Sequence, residues 1–132
     1  MTGFNLELPL HGEARTTVSE HNTAVRFGSG SVNVFGTPAM VALMEEAAIN
    51  AVDSKLPCDH GTVGTELNIR HQAATPVGMN VTARAELKKI VGRKLIFRVE
   101  AFDETEKIGE GCHQRFIIEL ERFRHKVGRK SK

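Results

Sequence analysis

Residues 34–52, which read VFGTPAMVALMEEAAINAV, decide the fold of this protein. Thr37 is predicted to be the N-cap of a helix and Pro38 its first helical residue, because a hydroxyl can accept a free backbone N–H and proline lacks a donor. Pro57 prevents the helix from continuing, so the helix is predicted to end near Lys55. Apolar side chains recur at steps of three and four, which is the spacing of one helix face: Met40, Leu43, Met44, Ala47, Ala48, Ala51 and Val52.

Extended segments surround this helix. Residues 79–90 and 95–102 alternate between apolar and polar side chains, which is typical of strands with one buried face. The other segments predicted to be extended are 14–27, as one strand or a broken pair, and 32–35, 62–75 and 108–123. The sequence therefore predicts an α+β fold in which a four-strand antiparallel meander wraps around one long central helix. The exposed sheet edge of such a layout favours a homodimer or a dimer of dimers.

Length and composition limit the class of protein. A chain of 132 residues is long enough for one domain, predicted to span residues 1–132. No stretch approaches the roughly 20 apolar residues of a membrane span, and the first ten residues lack the pattern of a secretory signal. Two cysteines are too few for a disulfide framework or a cysteine metal site. We therefore expect a cytoplasmic protein without a membrane partner.

Charge is distributed unevenly along the chain. The net charge is +2, but the last twelve residues hold six basic side chains and one carboxylate. The basic tail, placed at about residues 124–132, could contact nucleic acid or the phosphates of a ligand. A solvated terminus is the commoner meaning of such a tail. Since the chain has no Trp and no Tyr to stack on bases, no nucleic-acid partner is predicted.

Three residues could carry chemistry. Glu45 lies on or beside the apolar stripe, where a carboxylate is costly unless it is hydrogen-bonded, whereas Glu46 points about 100° away. His71 lies in a strand, where a lone histidine is more often packed than catalytic. Thr37 is fully explained as a helix cap. The histidines are not spaced as a local ligand pair, so no metal site is predicted.

Several segments together resemble the hotdog-fold thioesterase superfamily, specifically the group typified by fluoroacetyl-CoA thioesterase. The similarity covers roughly residues 32–127. Written with x for any residue, the shared positions are VFxTxxMVxLxExA from residue 34, GT at 64–65, HxAATPxG from residue 71, VTxxAEL from residue 81, IGxGxHxR from residue 108 and LExF from residue 120.

This resemblance implies a helix wrapped by an antiparallel sheet, a dimer, and hydrolysis of an acyl-CoA thioester. It assigns catalysis to Thr37, Glu45 and His71. It also implies that the backbone amide of Gly64 and the side chain of Arg115 lie near the acyl group. No cofactor is implied, because coenzyme A (CoA) enters as part of the substrate.

One departure from the group concerns the acyl pocket. The resemblance implies phenylalanines just upstream of the threonine, but residues 28–31 read GSGS and only Phe27 and Phe35 are near. We therefore expect the chemistry of the group without its preference for a fluorinated acyl group. The acyl group, and the choice between CoA and acyl carrier protein, stay open.

Two other functions compete with hydrolysis. A non-catalytic acyl-CoA sensor would use the same fold to bind without turnover. A dehydratase acting on 2-enoyl or 3-hydroxyacyl thioesters is disfavoured, because its usual Asp-x-x-x-x-His arrangement at the start of the helix is absent.

Helix geometry constrains the mechanism. Eight residues at 1.5 Å each separate Thr37 from Glu45 by roughly 12 Å along the axis. Both side chains are too short to close this gap, so Thr37 of one subunit is predicted to meet Glu45 of the other at a dimer interface. Two routes remain open, since Glu45 could attack the thioester directly or activate water as a general base.

Overall fold

The computed structural model describes residues 4–131. In chain order the elements are β1 (Leu10–Thr17), α1 (Ala24–Phe27), α2 (Thr37–Val52), β2 (His60–His71), β3 (Asn80–Val91), β4 (Lys94–Phe102), β5 (Lys107–Glu119) and α3 (Leu120–Gly128). Short 3-10 turns follow α2 and α3, at Asp53–Lys55 and Arg129–Ser131. The strands form one antiparallel sheet in the order β1-β3-β4-β5-β2.

The core lies between α2 and the sheet, as the sequence pattern predicts. All seven residues of the apolar stripe on α2 are buried. They pack mainly against β1, β3 and β4. The predicted alternation of the two central strands is confirmed, because their inward side chains are buried: Val81, Ala83, Ala85 and Leu87 on β3, and Leu95, Phe97, Val99 and Ala101 on β4.

Small residues let β1 approach the helix backbone. A Cβ atom on Gly12 would overlap the carbonyl oxygen of Ala47 and lie 2.5 Å from the backbone nitrogen of Ala51. Only glycine fits this position, since real side chains do not make contacts this short. The small side chains of Ala47 and Ala51 on α2 therefore allow β1 to pack closely against the helix backbone.

The predicted four-strand meander is wrong in one strand. β3, β4 and β5 follow each other in the sheet, but β2 joins at the far side of β5. Two glycines of β5 permit this pairing. A Cβ atom on Gly111 would overlap the carbonyl oxygen of Asn68, and a Cβ atom on Gly109 would lie 2.9 Å from the carbonyl oxygen of Arg70. β2 is consequently an edge strand.

The segment before α2 also differs from the expectation. Residues 24–27 are helical rather than extended, because the hydroxyl of Thr23 accepts the backbone N–H of Arg26 at 3.3 Å and Gly28 ends the turn with a φ of 67°. The predicted strand at 32–35 is reduced to isolated bridges, Thr23 with Phe35 and Val34 with Pro76.

The last predicted strand is too long. β5 ends at Glu119, and residues 120–128 form α3. The pattern changes there from a period of two to steps of four, which place Phe123 and Val127 on one side of the helix. None of the helices in residues 4–131 has the length and apolar content needed to cross a membrane.

Candidate active site

The N-terminus of α2 presents the hydroxyl of Thr37 to His71. The predicted cap is one residue off: Gly36 is the N-cap, with φ −79° and ψ 144°, and Thr37 is the first helical residue. The first helical hydrogen bond runs from the backbone N–H of Met40 to the carbonyl of Gly36, at 3.0 Å. The threonine hydroxyl caps nothing, and its Oγ1 instead lies 2.7 Å from Nδ1 of His71.

His71 is the last residue of β2 and its ring is partly buried. Burial lowers the pKa of the imidazole, and a backbone interaction at Ala73 opposes this shift. The neutral ring is therefore favoured at pH 7. Nε2 is buried and has no hydrogen-bond partner among the described residues. A buried nitrogen without a partner is unusual in a purely structural histidine.

Thr37 and His71 line a cavity of about 230 Å³. Small or apolar residues supply most of the remaining wall: Ala24, Ser29, Val34, Phe35, Ala73 and Ala74. This volume is below the usual 300–1,000 Å³ of a pocket for a drug-sized ligand. It fits a small acyl group beside a hydroxyl and an imidazole.

Glu45 lies elsewhere in the chain and does not line this cavity. Its side chain is 38% exposed, and Oε2 accepts from Nη1 of Arg115 at 3.4 Å. Gly64 leaves room for the carboxylate, since a Cβ there would lie 2.5 Å from Glu45 Oε2. A β-bulge follows Gly64 in β2, and such bulges are common beside active sites.

Arg115 is buried, and each of its three guanidinium nitrogens has a hydrogen-bond partner. Its Nε donates to the hydroxyl of Thr62 at 2.8 Å, and Nη2 donates to the Thr62 carbonyl at 3.0 Å. The Thr62 hydroxyl in turn donates to Asp53 Oδ1 at 2.7 Å. Burial lowers the pKa of Arg115 and the nearby carboxylates of Asp53 and Glu45 oppose the shift, but a guanidinium stays charged in proteins. Arg115 is thus fixed where it meets Glu45.

His113 completes this network from the same face of β5. It is 1% exposed, with Nδ1 2.8 Å from the carbonyl oxygen of Glu66 and Nε2 3.1 Å from Nη1 of Arg115. Only a neutral ring fits both contacts, with Nδ1–H donating and Nε2 accepting. Burial first, and the charge of Arg115 to a smaller extent, lower the pKa of His113.

The five residues named from the sequence thus form two groups within one chain. Thr37 and His71 meet at the cavity, whereas Glu45, Gly64 and Arg115 meet at the centre of β2 and β5. Sequence reasoning missed His113, Thr62 and Asp53. The signal for His113 was its place two residues before Arg115, because strand alternation puts both on one face.

A metal centre is not formed in the part of the chain that the structure describes. No group of three or more His, Cys, Asp or Glu side chains in residues 4–131 is arranged to hold an ion.

Residues 18–121 match a family described as fluoroacetyl-CoA-specific thioesterase. The chain belongs to this family. The fluoroacetyl-CoA thioesterase of Streptantibioticus cattleyicolor is 45% identical over 98 residues, which are 74% of this chain and 70% of that protein.

Solved structures agree with the family and identify the fold. A structure of the fluoroacetyl-CoA thioesterase FlK superposes with a TM-score of 0.89 at 36% identity, covering 96% of this chain and 98% of the other. A thioesterase-superfamily protein from Thermus thermophilus gives a TM-score of 0.85 at 25% identity, covering 92% and 90%. The predicted hotdog fold is confirmed.

Proposed function

We propose that this member of the fluoroacetyl-CoA thioesterase family hydrolyses a small acyl-CoA thioester to the free acid and CoA. The observation that carries the proposal is the 2.7 Å contact between Thr37 Oγ1 and His71 Nδ1 in the wall of a small cavity. Family membership supports thioester hydrolysis in general, and a cavity of about 230 Å³ beside the pair favours a small acyl group.

Each catalytic side chain has a role in this proposal. Thr37 holds the thioester carbonyl oxygen, because a hydroxyl that accepts from His71 Nδ1–H keeps its own proton for the substrate. Glu45 supplies the attack, and Arg115 and Gly64 fix the position of its carboxylate. His71, favoured in its neutral form by burial, is ready to accept a proton.

Two balanced routes lead to the same products. In the covalent route Glu45 attacks the carbonyl carbon, the C–S bond breaks, and water then cleaves the acyl-glutamyl anhydride. His71 takes the proton of that water and gives it to the CoA thiolate. In the general-base route Glu45 takes a proton from water as its oxygen attacks, and this proton returns to the departing thiolate. Trapping with hydroxylamine followed by mass spectrometry distinguishes them, since only the covalent route gives a hydroxamate on Glu45.

The active site of the proposal is composite and lies between two subunits. Glu45 is absent from the cavity that Thr37 and His71 line, as the 12 Å helix argument requires. β2 carries both Gly64 and His71 and is an edge strand, which favours pairing with a second copy. Two such sites per dimer would each combine Thr37 and His71 of one copy with Glu45 of the other.

Mixing two inactive variants tests this arrangement directly. Thr37→Val and Glu45→Gln homodimers are unfolded and refolded together so that subunits exchange. If the site is composite, each mixed dimer has one intact site, and activity returns to about a quarter of wild type by random pairing. A site contained in one chain would give no recovery, because every chain carries one of the two changes.

Thiol release measures the activity itself. Wild type and Glu45→Gln are compared on short, branched and aryl acyl-CoAs with a chromogenic thiol reagent. We expect turnover by wild type on short acyl groups and a loss in Glu45→Gln, with Glu46→Gln, its exposed neighbour, as the matched control. Turnover unchanged by Glu45→Gln would refute the assignment of Glu45. Retained acyl-CoA binding without turnover in wild type would favour the sensor function instead.

The preference within small acyl groups follows from the cavity wall. Ala24 and Ser29 lie where larger side chains would narrow the cavity. Because these two side chains are small, they leave the cavity more open than phenylalanines would, and the proposed substrate is a small acyl-CoA with no requirement for fluorine.

A further inference from the structure

The second half of β2 carries three polar side chains without a partner in the described part of the chain. Glu66, Asn68 and Arg70 are exposed and follow each other at steps of two, so they lie on one face of the strand. None of the three side chains forms a hydrogen bond or an ion pair with another residue in the range 4–131. A carboxylate and a guanidinium thus flank an amide on one exposed face.

The opposite face of the same stretch is apolar. Leu67 and Ile69 are half-buried, and Ile69 packs against the core. Among the described residues, no backbone group of 66–71 is bonded to a strand other than β5. A strand with such a free edge is a template for pairing with another strand, and the composite site requires a second copy of the chain at this edge.

The β-bulge of β2 limits how a second strand can align with it. On β5, two consecutive residues oppose Glu66 and Gly64, and Thr65 is passed over. A strand at the free edge meets the same bulge, so the residue opposite Gly64 directly follows the residue opposite Glu66. The Glu45 carboxylate lies against Gly64, so the residue opposite Gly64 is the one nearest to this carboxylate.

We propose that β2 pairs antiparallel with β2 of a second copy, in the register that places Arg70 opposite Glu66 of that copy and Asn68 on the twofold axis. This inference rests on the proposed function and defines the partner surface of its composite site. His71 follows Arg70 and therefore opposes Gly64 of the second copy.

This register brings the two halves of the active site together. Side chains of directly opposed residues lie about 4.5–5.5 Å apart at their Cβ atoms. His71, with Thr37 bonded to it, thus meets the second copy where that copy's Glu45 lies. Since the twofold axis repeats every contact, the same pairing forms both sites of the dimer.

The side chains of the edge are complementary in this register. Arg70 and Glu66 form an opposite-charge pair, which the twofold axis repeats, and Leu67 opposes Ile69 on the apolar face. Asn68 meets its own copy, and an amide can both donate and accept a hydrogen bond. A shift by one residue would place apolar side chains opposite charged ones, and a shift by two would separate both charge pairs.

Cross-linking tests the register without relying on catalysis. Asn68→Cys is made in a Cys58→Ser/Cys112→Ser background, because both natural cysteines are exposed. Opposed Cα atoms lie about 4.5–5.5 Å apart, which is within the span of a disulfide. We expect mild oxidation to convert this variant into a covalent dimer.

Glu66→Cys in the same background is the matched control. Two copies of residue 66 lie four residues apart in the proposed register, or about 13 Å along the strand, so this variant alone should not cross-link. It should form a covalent dimer when it is mixed with Arg70→Cys. Cross-linking of Glu66→Cys alone, or none in Asn68→Cys, would overturn the inference.

Charge reversal tests the two ion pairs. Arg70→Glu and Glu66→Arg each place like charges opposite each other twice, so the dimer Kd in sedimentation equilibrium should rise at least tenfold for either variant. Both positions are exposed, so both variants should fold. In a mixture of the two variants, opposite charges meet at both positions, and the mixed dimer should regain the wild-type Kd within about threefold.

Lys89→Glu gives the same change in net charge at an exposed position of β3 and should leave the dimer Kd within about twofold. An unchanged Kd in both β2 variants would mean that these charges only protect a free edge, and the inference would be overturned. Weakened dimers that mixing does not restore would overturn it as well.

These readouts separate a failure of the register from a failure of the proposed function. Thiol release by wild type without cross-linking of Asn68→Cys would overturn the register alone. A cross-linked Asn68→Cys dimer together with no thiol release by wild type would support the register and contradict the function.

Discussion

The two halves of the proposed site are built in opposite ways. The hydroxyl–imidazole pair of Thr37 and His71 consists of two side chains at the ends of two elements, with one hydrogen bond between them. The arginine network joins the Glu45 carboxylate through Arg115 to His113, Thr62 and Asp53, deep against the sheet. One half has few contacts, and the other is held from several sides.

This difference indicates a division of labour. A largely buried hydrogen-bond network holds its members in place at little cost during reaction. A side chain with a single partner can instead exchange that partner for substrate. We therefore expect substitutions in the pair to change activity alone, and substitutions in the network to change stability as well.

The largest effect is expected from Thr37→Val, which keeps the shape and removes the hydroxyl. The kcat for acyl-CoA hydrolysis should fall by about 10²–10³-fold, the usual range for loss of one hydrogen-bond donor to the developing oxyanion. The free energy of unfolding should fall by less than about 1 kcal/mol, because Thr37 is exposed and loses one hydrogen bond. Steady-state kinetics and urea unfolding measure the two quantities.

Thr37→Ser is the control for the hydroxyl and should keep most of the activity. A large loss of stability in Thr37→Val would contradict the comparison, because the threonine would then belong to the scaffold.

The next effect is expected from Arg115→Met, and it should appear in stability. Removing the guanidinium leaves the buried Nε2 of His113 and the carbonyl of Thr62 without their donor, which costs about 2–4 kcal/mol in the free energy of unfolding. Activity should also fall, since the Glu45 carboxylate is no longer held. Urea unfolding provides the measurement.

Arg98→Met is the matched control. Arg98 is 44% exposed and forms ion pairs with Glu100 and Glu110, so its loss should cost less than about 1 kcal/mol. Equal losses in the two variants would show that burial of the network does not matter.

The smallest effect concerns the pH dependence of stability. Burial lowers the pKa of His113, so below pH 6.5 the unfolded chain binds a proton that the folded chain does not yet bind. Stability therefore falls as the pH decreases from 6.5 to the folded pKa, by at most about 1.4 kcal/mol per pH unit for each such histidine. Urea unfolding between pH 5 and 7 should show a shallower slope in His113→Gln than in wild type.

His21→Gln serves as control, since that ring is 77% exposed and should leave the slope unchanged. His71, whose pKa is also lowered, should place the acidic limb of the kcat/KM profile below pH 6.5. A steeper slope in His113→Gln would contradict the neutral, accepting role assigned to His113.

Sequence reasoning succeeded where one residue pattern has one structural solution. The stripe from Met40 to Val52 predicts a buried helix face, and the alternation in β3 and β4 predicts an inner sheet face, because both periods follow from local backbone geometry. The same local geometry separates Thr37 from Glu45, and the observed cavity agrees with that separation.

Prediction from the sequence failed where a segment pairs with another segment far away in the chain. The pairing of β2 with β5 depends on Gly109 and Gly111, whose role is visible only when the strands are together. Short helices were missed for a related reason. Capping by Thr23 and Gly28 outweighs the extended preference of residues 24–27, and the strand signal of 108–123 continues past the real end of β5.

The sequence alone determined the helix, the strands of the core and the family, because periodicity and motif spacing are local properties. The sequence also identified the candidate catalytic residues, which are Thr37, Glu45 and His71. Only the tertiary structure decided that Thr37 bonds to His71 and that Glu45 depends on Arg115 and His113. These contacts join residues 34 and 70 positions apart, and strand order and burial bring such residues together.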